Sequence, residues 1–162
     1  MILDEDETRD RDDEGRGPES APNAGQRLAA TGADSADRRR PRRGRRILVV
    51  DDDLAILEAL AVLLDGRYDV VTATDGREAL RLIEECSVDL VVSDVLMPLV
   101  AGEELVEAAR RAGVRIPVIL ISGHQERLER AREAGADAYL YKPFPFRTLE
   151  ERIEGLLASN SS

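Results

Sequence analysis

Val91-Val92-Ser93-Asp94-Val95-Leu96-Met97-Pro98 is the stretch from which the rest of this chain can be read. The apolar run from Val88 to Val92 predicts a buried strand, and it stops at a carboxylate. Pro98 cannot extend a sheet and pushes the residue before it away from helical geometry, so a loop opens there. Asp94 therefore stands where a strand ends, the edge at which open parallel α/β sheets bind ligands. A second set of acids, Asp51-Asp52-Asp53, follows another apolar run, Ile47-Leu48-Val49-Val50. If those strands are neighbours, three or four carboxylates converge on one small volume, and a divalent metal ion is the best physical explanation for such a grouping.

Outward from these two runs, strands and helices alternate. Ile47–Val50 is expected as a strand, and Asp53 to Asp65 as a helix with Leu57, Leu60 and Leu64 on one stripe and Gly66 as its stop. Tyr68–Ala73 is β-branched and extended. Asp75, with Glu78 three residues on, forms a capping-box pattern that opens a helix to about Cys86. Val88–Ser93 is the third strand, and Gly102 to Ala112 the third helix, closed by Gly113. A fourth strand over Ile116–Ile121 tolerates Pro117 near its start. A short helix over Gln125–Ala134 leads to a fifth strand, Ala138–Tyr141. Phe146, Leu149, Ile153, Leu156 and Leu157 mark one face of a final helix. Five such units predict an α/β fold: a doubly wound, five-stranded parallel sheet with helices on both faces. Near-continuous apolar strands fit, because each is covered on both sides.

Length and charge bound the function. The 162 residues suffice for one domain with a proper core. The net charge of −10 is unevenly placed: residues 1–46 balance 11 acids against 11 bases, while residues 47–162 hold 22 acids against 12 bases. An acidic folded core is a poor surface for nucleic acid. Residues 1–44 are rich in charge, Gly, Pro and Ala, with few large apolar side chains, and are expected to be a disordered extension. Within it, Arg38 to Arg46 is almost purely basic. That tract is either a solvated tail or the one place where nucleic acid or an acidic partner would be touched, without aromatic residues nearby to stack on bases. Cys86 is the only cysteine, so no internal disulfide forms, a reducing compartment is the natural reading, and a small buried apolar role is expected. No signal peptide and no uncharged run of the ~18 residues a membrane span needs are present; a cytoplasmic location follows as an expectation. Only Ala158 to Ser162 follows the last helix, so no separate output domain is expected on the C-terminal side.

The chemistry gathers at strand ends: Asp51 and Asp52 after the first, Asp94 after the third, Ser122 after the fourth and Lys142 after the fifth. Two carboxylates ~4 Å apart repel by about 4 kcal/mol at an effective dielectric near 20. Such a group is tolerable when protonated or when a cation sits within it, and hard oxygen donors with waters and a phosphate suit Mg²⁺. Lys142 is the only lysine; the other 22 basic residues are arginine. A compact ammonium fits the back of a small pocket where a guanidinium fork does not. A cis peptide before Pro143 would help to aim that side chain.

Taken together, Val50-Asp51-Asp52-Asp53, Asp75-Gly76 with Ala79-Leu80, Ser93-Asp94 with Met97-Pro98 and Gly102, Ile121-Ser122-Gly123, Gly135-Ala136-Asp137 and Lys142-Pro143-Phe144 resemble the receiver domain of bacterial two-component response regulators. The resemblance covers residues 47–158 and is closest to the stand-alone, chemotaxis-regulator type. It implies a flavodoxin-like (βα)5 sheet in strand order 2-1-3-4-5, with a receiver over residues 45–158 and a tail over 159–162. It implies that Asp94 accepts a phosphoryl group from a histidine kinase or histidine phosphotransfer protein. Asp51, Asp52, Asp94 and the main-chain carbonyl of Leu96 would hold Mg²⁺. Ser122 would hydrogen-bond the phosphoryl group and Lys142 would pair with it. Tyr139 would be the aromatic switch that turns inward with Ser122, passing the signal to a downstream protein. Such a chain turns over no external substrate.

Several positions carry further expectations. Gly102 and Gly123 read as loop glycines, Gly123 leaving room for a phosphoryl group. An apolar Leu96 and a bulky His124 would slow a hydrolysing water. The stretch from Ser122 to Lys142 is short, predicting a truncated fourth helix. Tyr139 and Tyr141 are expected to point to opposite sides of their strand. Ile56, Val62 and Leu63 extend the first helix's apolar surface, either as buried packing or as a docking patch for a kinase or phosphotransfer helix. Two other functions compete. A degenerate receiver would bind partners without phosphorylation, against which the full acid, Ser122 and Lys142 set speaks. An aspartate-nucleophile phosphatase of the haloacid-dehalogenase type is suggested by Asp51-x-Asp53, but would need a further acidic motif and a cap insertion.

Overall fold

The computed structural model describes residues 44–160; the predicted disorder of residues 1–44 falls almost wholly outside them, as do the last two residues of the predicted tail. Five parallel strands, β1 (Arg46–Val50), β2 (Asp69–Ala73), β3 (Leu90–Asp94), β4 (Val118–Ser122) and β5 (Ala138–Tyr141), lie in the order β2-β1-β3-β4-β5. Helices α1 (Leu54–Leu64), α2 (Gly76–Glu85), α3 (Gly102–Arg111), α4 (Gln125–Glu133) and α5 (Phe146–Ser159) connect them. This is the doubly wound α/β sheet expected from the alternation of apolar strands and amphipathic helices. None of the described helices is long and apolar enough to cross a membrane.

The two-residue period of the strands feeds two cores. Leu48 and Val50 of β1 face one layer with Leu82, Leu105 and Val106 of α2 and α3, while Ile47 and Val49 face the other with Leu57, Leu149 and Ile153 of α1 and α5. Because both faces are covered, β1, β3 and β4 are buried along their whole length. Cys86 is buried against the α2 layer, the small apolar role expected of it.

Helix starts follow local side-chain chemistry. Asp53 caps α1 by accepting the N–H groups of Ala55 and Ile56 at 2.9 and 3.4 Å. Asp75 caps α2 in the same way through Arg77 and Glu78, both at 2.8 Å. Glu78 reaches back to the Thr74 N–H at 3.1 Å, one residue earlier than the usual reciprocal box. Most strand ends fall within one residue of expectation, and two strand starts differ by more. β4 starts at Val118 rather than Ile116, because Pro117 has no N–H to give the ladder and instead accepts from Val91 N through its carbonyl at 2.9 Å. β3 begins at Leu90 rather than Val88 and runs through Asp94 itself.

Gly102 starts the third helix where it is expected to, but its role goes beyond that of a loop glycine. It opens α3, and a Cβ there would come 2.5 Å from the Asp94 carbonyl oxygen and 3.0 Å from both Val95 Cα and a Leu120 methyl. The missing side chain lets α3 press directly on the strand end that carries Asp94. A Cβ at Gly123 would meet nothing within 4 Å. Gly102→Ala is therefore expected to destabilise the domain by about 1–3 kcal/mol, since backbone rather than a flexible side chain must yield. Gly123→Ala should leave the urea midpoint almost unchanged, and equal midpoints for the two variants would refute the packing argument.

Candidate functional site

The C-terminal ends of β1, β3, β4 and β5 place Asp51, Asp94, Ser122 and Lys142 on one edge of the sheet. Asp94 is the last residue of β3, Ser122 the last of β4, and Asp51 and Lys142 directly follow β1 and β5. Backbone bonds hold the strand ends in step: Asp51 N to Ala73 O at 3.2 Å, Val95 N to Ile121 O at 2.9 Å, and Lys142 N to Ser122 O at 2.8 Å. Asp51, Asp94 and Ser122 are buried. The adjacent Lys142–Pro143 peptide bond is cis.

Lys142 enters this acid pocket. Its ammonium donates to Asp94 Oδ1 at 2.7 Å and lies 3.6 Å from Asp51 Oδ2. The second oxygen of Asp94 accepts the Leu96 N–H at 2.7 Å, which folds the following loop back onto the carboxylate. Asp51 Oδ1 accepts the Asp53 N–H at 2.9 Å. Burial pushes the Asp51 carboxyl above its usual range; the Asp53 N–H and the Lys142 charge oppose this, while Asp94 and Asp52 add to it. Burial alone would lower the Lys142 ammonium, but the hydrogen bond and charge of Asp94, with the charge of Asp51, outweigh it and raise its pKa.

The acids do not all converge as the sequence suggested. Asp51 and Asp94 share the pocket, Asp52 is exposed, and Asp53 is spent on capping α1. Among the described residues no three His, Cys, Asp or Glu side chains stand close enough together to hold a metal ion by themselves. The donor set nonetheless suits a hard cation: two buried carboxylates already draw in one ammonium, and buried Asp51 is under-compensated by it. Asp53 Oδ1 is engaged with the α1 backbone.

Ser122 and the loops complete the edge. Its Oγ accepts the His124 N–H at 3.0 Å and lies 3.3 Å from the His124 carbonyl oxygen, a long contact for a hydroxyl donor. Leu96 is 41 % exposed, and Leu99, two residues before the Ala101 cap of α3, is 72 % exposed with φ at 73°. A leucine in the left-handed region costs roughly 1–2 kcal/mol, a strain the sequence did not reveal. Tyr139 is half-buried and its hydroxyl accepts from Arg132 Nε at 3.0 Å. Tyr139 and Tyr141 share a side of β5 rather than opposing each other, because residues two apart face the same way; it is Ala138 and Leu140 that turn to the α1 and α5 core. On α1, Val62 and Leu63 are at least half exposed while Ile56 is half-buried, so the apolar excess is part surface and part packing.

Comparison with known proteins agrees with this geometry. A family model for the response regulator receiver domain matches residues 47–154. Response regulator MprA of Mycolicibacterium vanbaalenii is 44 % identical over 115 residues, 69 % of this chain and 50 % of that protein. The chain thus spans about half the length of the curated relatives it matches. A CheY-like response regulator receiver domain protein from Methanospirillum hungatei superposes with a TM-score of 0.68 at 35 % identity, over 72 % of this chain and 96 % of that one. The receiver domain of a Pseudomonas aeruginosa sensor histidine kinase, solved with a magnesium ion coordinated in its active site cleft, gives a TM-score of 0.66 at 27 % identity, over 71 % of this chain and 98 % of that one.

The raised Asp51 value fixes a sign for stability. A folded-state pKa above the unfolded one favours folding at low pH, and that advantage is lost as pH rises through the folded value. The ionised, buried carboxylate therefore costs stability at neutral pH. Asp51→Asn keeps an acceptor for the Asp53 N–H and should raise the thermal midpoint by a few degrees at pH 7, the gap narrowing as pH falls into the carboxylate range. Calorimetry across that range checks it; a variant no more stable than wild type at pH 7 contradicts the burial argument.

Proposed function

We propose that this chain, which belongs to the response regulator receiver domain family, accepts a phosphoryl group on Asp94 and signals through a shift in conformation. The donor in this reading is the phosphohistidine of a histidine kinase or a histidine phosphotransfer protein. The N–P bond of the donor breaks as a bond forms from an Asp94 carboxylate oxygen to phosphorus, and the imidazole is the leaving group. The observation that carries the reading is Lys142 Nζ bonded to Asp94 at 2.7 Å inside a buried acid pocket. That ammonium needs little movement to follow the charge, about −1.5 to −2, that a phosphoryl group brings.

The other residues have matching roles. Asp51, Asp52, Asp94 and the Leu96 carbonyl would hold Mg²⁺, which when bound supplies charge compensation at the phosphoryl oxygens. Asp51 and Asp94 are the buried members of that set, and Asp52 borders solvent. Ser122 spends its hydroxyl only on a long contact to the His124 carbonyl, so redirecting it to a phosphoryl oxygen costs little. Tyr139 would follow Ser122, and the surface around α4, β5 and α5 would carry the output to a downstream protein. Leu54 is an exposed apolar residue in the first turn of the helix that starts beside the acids, and it would offer an apolar contact to a helix of the phosphodonor. Leu96 and His124 border the approach of water and would lengthen the life of the aspartyl phosphate. We further propose that the chain acts as a single receiver in the cytoplasm and turns over no external phosphate ester.

Incubation with a small phosphodonor and Mg²⁺, followed by intact mass, should add one phosphoryl group to wild type. It should add none to Asp94→Asn and none in excess chelator. An unmodified wild type, or a modified Asp94→Asn, would overturn the assignment, and steady release of product from a generic phosphate ester would favour the phosphatase instead. The mass of the protein recovered from its own cells tests the single-domain form. His124→Ala should shorten the aspartyl-phosphate half-life severalfold, followed by loss of the adduct with time; equal half-lives would remove His124 from the water path.

A further inference from the structure

α4 meets the rest of the domain partly through charged side chains. Six of its nine residues are charged, and its N-cap residue His124 makes no side-chain cap bond. Ala131 is fully buried against the core, a small anchor that covers little apolar area. Two arginines supply polar ties. Arg127 pairs with Glu103 of α3 at 3.2 Å, while the other Glu103 oxygen is buried without a hydrogen-bond partner among the described residues. Arg132 donates from Nε to the Tyr139 hydroxyl at 3.0 Å, and its guanidinium carbon lies 5.0 Å from the centre of the Tyr139 ring.

These contacts make Tyr139 more than a neighbour of α4. Its backbone is fixed in β5 opposite Leu120, two residues before Ser122 in β4, so the ring has only side-chain freedom. In the observed rotamer the hydroxyl and the ring face are both engaged by one guanidinium. A ring turned toward Ser122 must give up the hydroxyl bond and the cation–π contact together, since both come from the same group on α4. The cost falls on Arg132, an exposed residue that touches neither the acids nor Lys142.

We propose that Arg132 is a positioning residue that clasps Tyr139 in its outward rotamer and thereby biases the receiver toward its unphosphorylated conformation. The proposal rests on the reading of Asp94 as phosphoacceptor and of Tyr139 as the partner of Ser122. An exposed arginine–aromatic contact of this kind biases an equilibrium by about two- to fivefold. By reciprocity, removing it tightens the binding of any ligand that favours the other state by the same factor. α4 and β5 are thus coupled through a side chain that the phosphoacceptor chemistry itself does not use.

The test uses the full chain labelled with 3-fluorotyrosine, which gives one ¹⁹F resonance for each of Tyr68, Tyr139 and Tyr141, assigned by Tyr139→Phe. Beryllofluoride with Mg²⁺ serves as the phosphoryl mimic and Asp94→Asn as the control. In wild type the Tyr139 resonance should move on titration. In Arg132→Gln it should start displaced toward the titrated position, and the titration midpoint should fall two- to fivefold; Arg132→Lys, which keeps the charge but not the planar fork, should lie between. If the wild-type resonance moves but Arg132→Gln matches wild type in both starting position and midpoint, the clasp is refuted while the phosphoacceptor reading stands. If the wild-type Tyr139 resonance does not respond to the mimic, the switch reading fails and the clasp falls with it. Amide spectra of both Arg132 variants verify the fold, and the lysine variant carries the test should the glutamine variant unfold.

Discussion

An ammonium lodged between two buried carboxylates, Lys142 Nζ at 2.7 Å from Asp94 and 3.6 Å from Asp51, is the interaction on which this edge of the sheet depends. Burial strips water from both acids and raises the electrostatic stakes of every charge nearby. Asp51 responds with a carboxyl pushed upward, and Lys142 with an ammonium held more firmly than burial alone would allow. One positive charge does not balance Asp51, Asp52 and Asp94 together. The edge is therefore built to receive more positive charge, and, in the proposed reading, a phosphoryl group accompanied by a dication satisfies it on both counts.

The scaffold places these groups through backbone constraints far stiffer than the side chains it carries. Parallel pairing sets β1 beside β3 and β3 beside β4, so residues separated by more than forty positions share one rim. Gly102 allows α3 to press on the Asp94 carbonyl, and the Leu96 N–H turns the loop back to the Asp94 carboxylate. Asp94 is held by the strand, the helix start and the loop at once. By contrast, Tyr139 and Arg132 meet through their side chains, and the Ser122 hydroxyl meets the His124 backbone. In the proposed reading, a rigidly placed Asp94 beside side-chain contacts that can exchange is the division a conformational switch requires.

Much of this was legible in the chain. Strand-length apolar runs ending in Asp51, Asp94 and Ser122, and a lone lysine before Pro143, were enough to forecast a parallel sheet and the set of residues at its rim, because strand periodicity and the βα alternation are local signals. Glycine spacing is legible as punctuation, but the need for glycine at position 102 is not, since a close approach of α3 to β3 is a contact between distant segments. Tyr139 and Tyr141 share one side of β5, as the two-residue period of a strand requires, and only the packing shows that Ala138 and Leu140 take the α1 and α5 core.

Local sequence alone determined the fold class, the strand ends and the identity of the groups placed there, because these follow from side-chain volume, backbone freedom and hydrogen-bonding capacity along the chain. Only the tertiary structure decided which acids share the pocket. It left Asp52 in solvent while burying Asp51 and Asp94 together. It also decided that Lys142 reaches Asp94 and that Arg132 holds Tyr139. Those outcomes depend on distances between residues far apart in the chain or on different elements, and a charge interacts through space, not along the sequence.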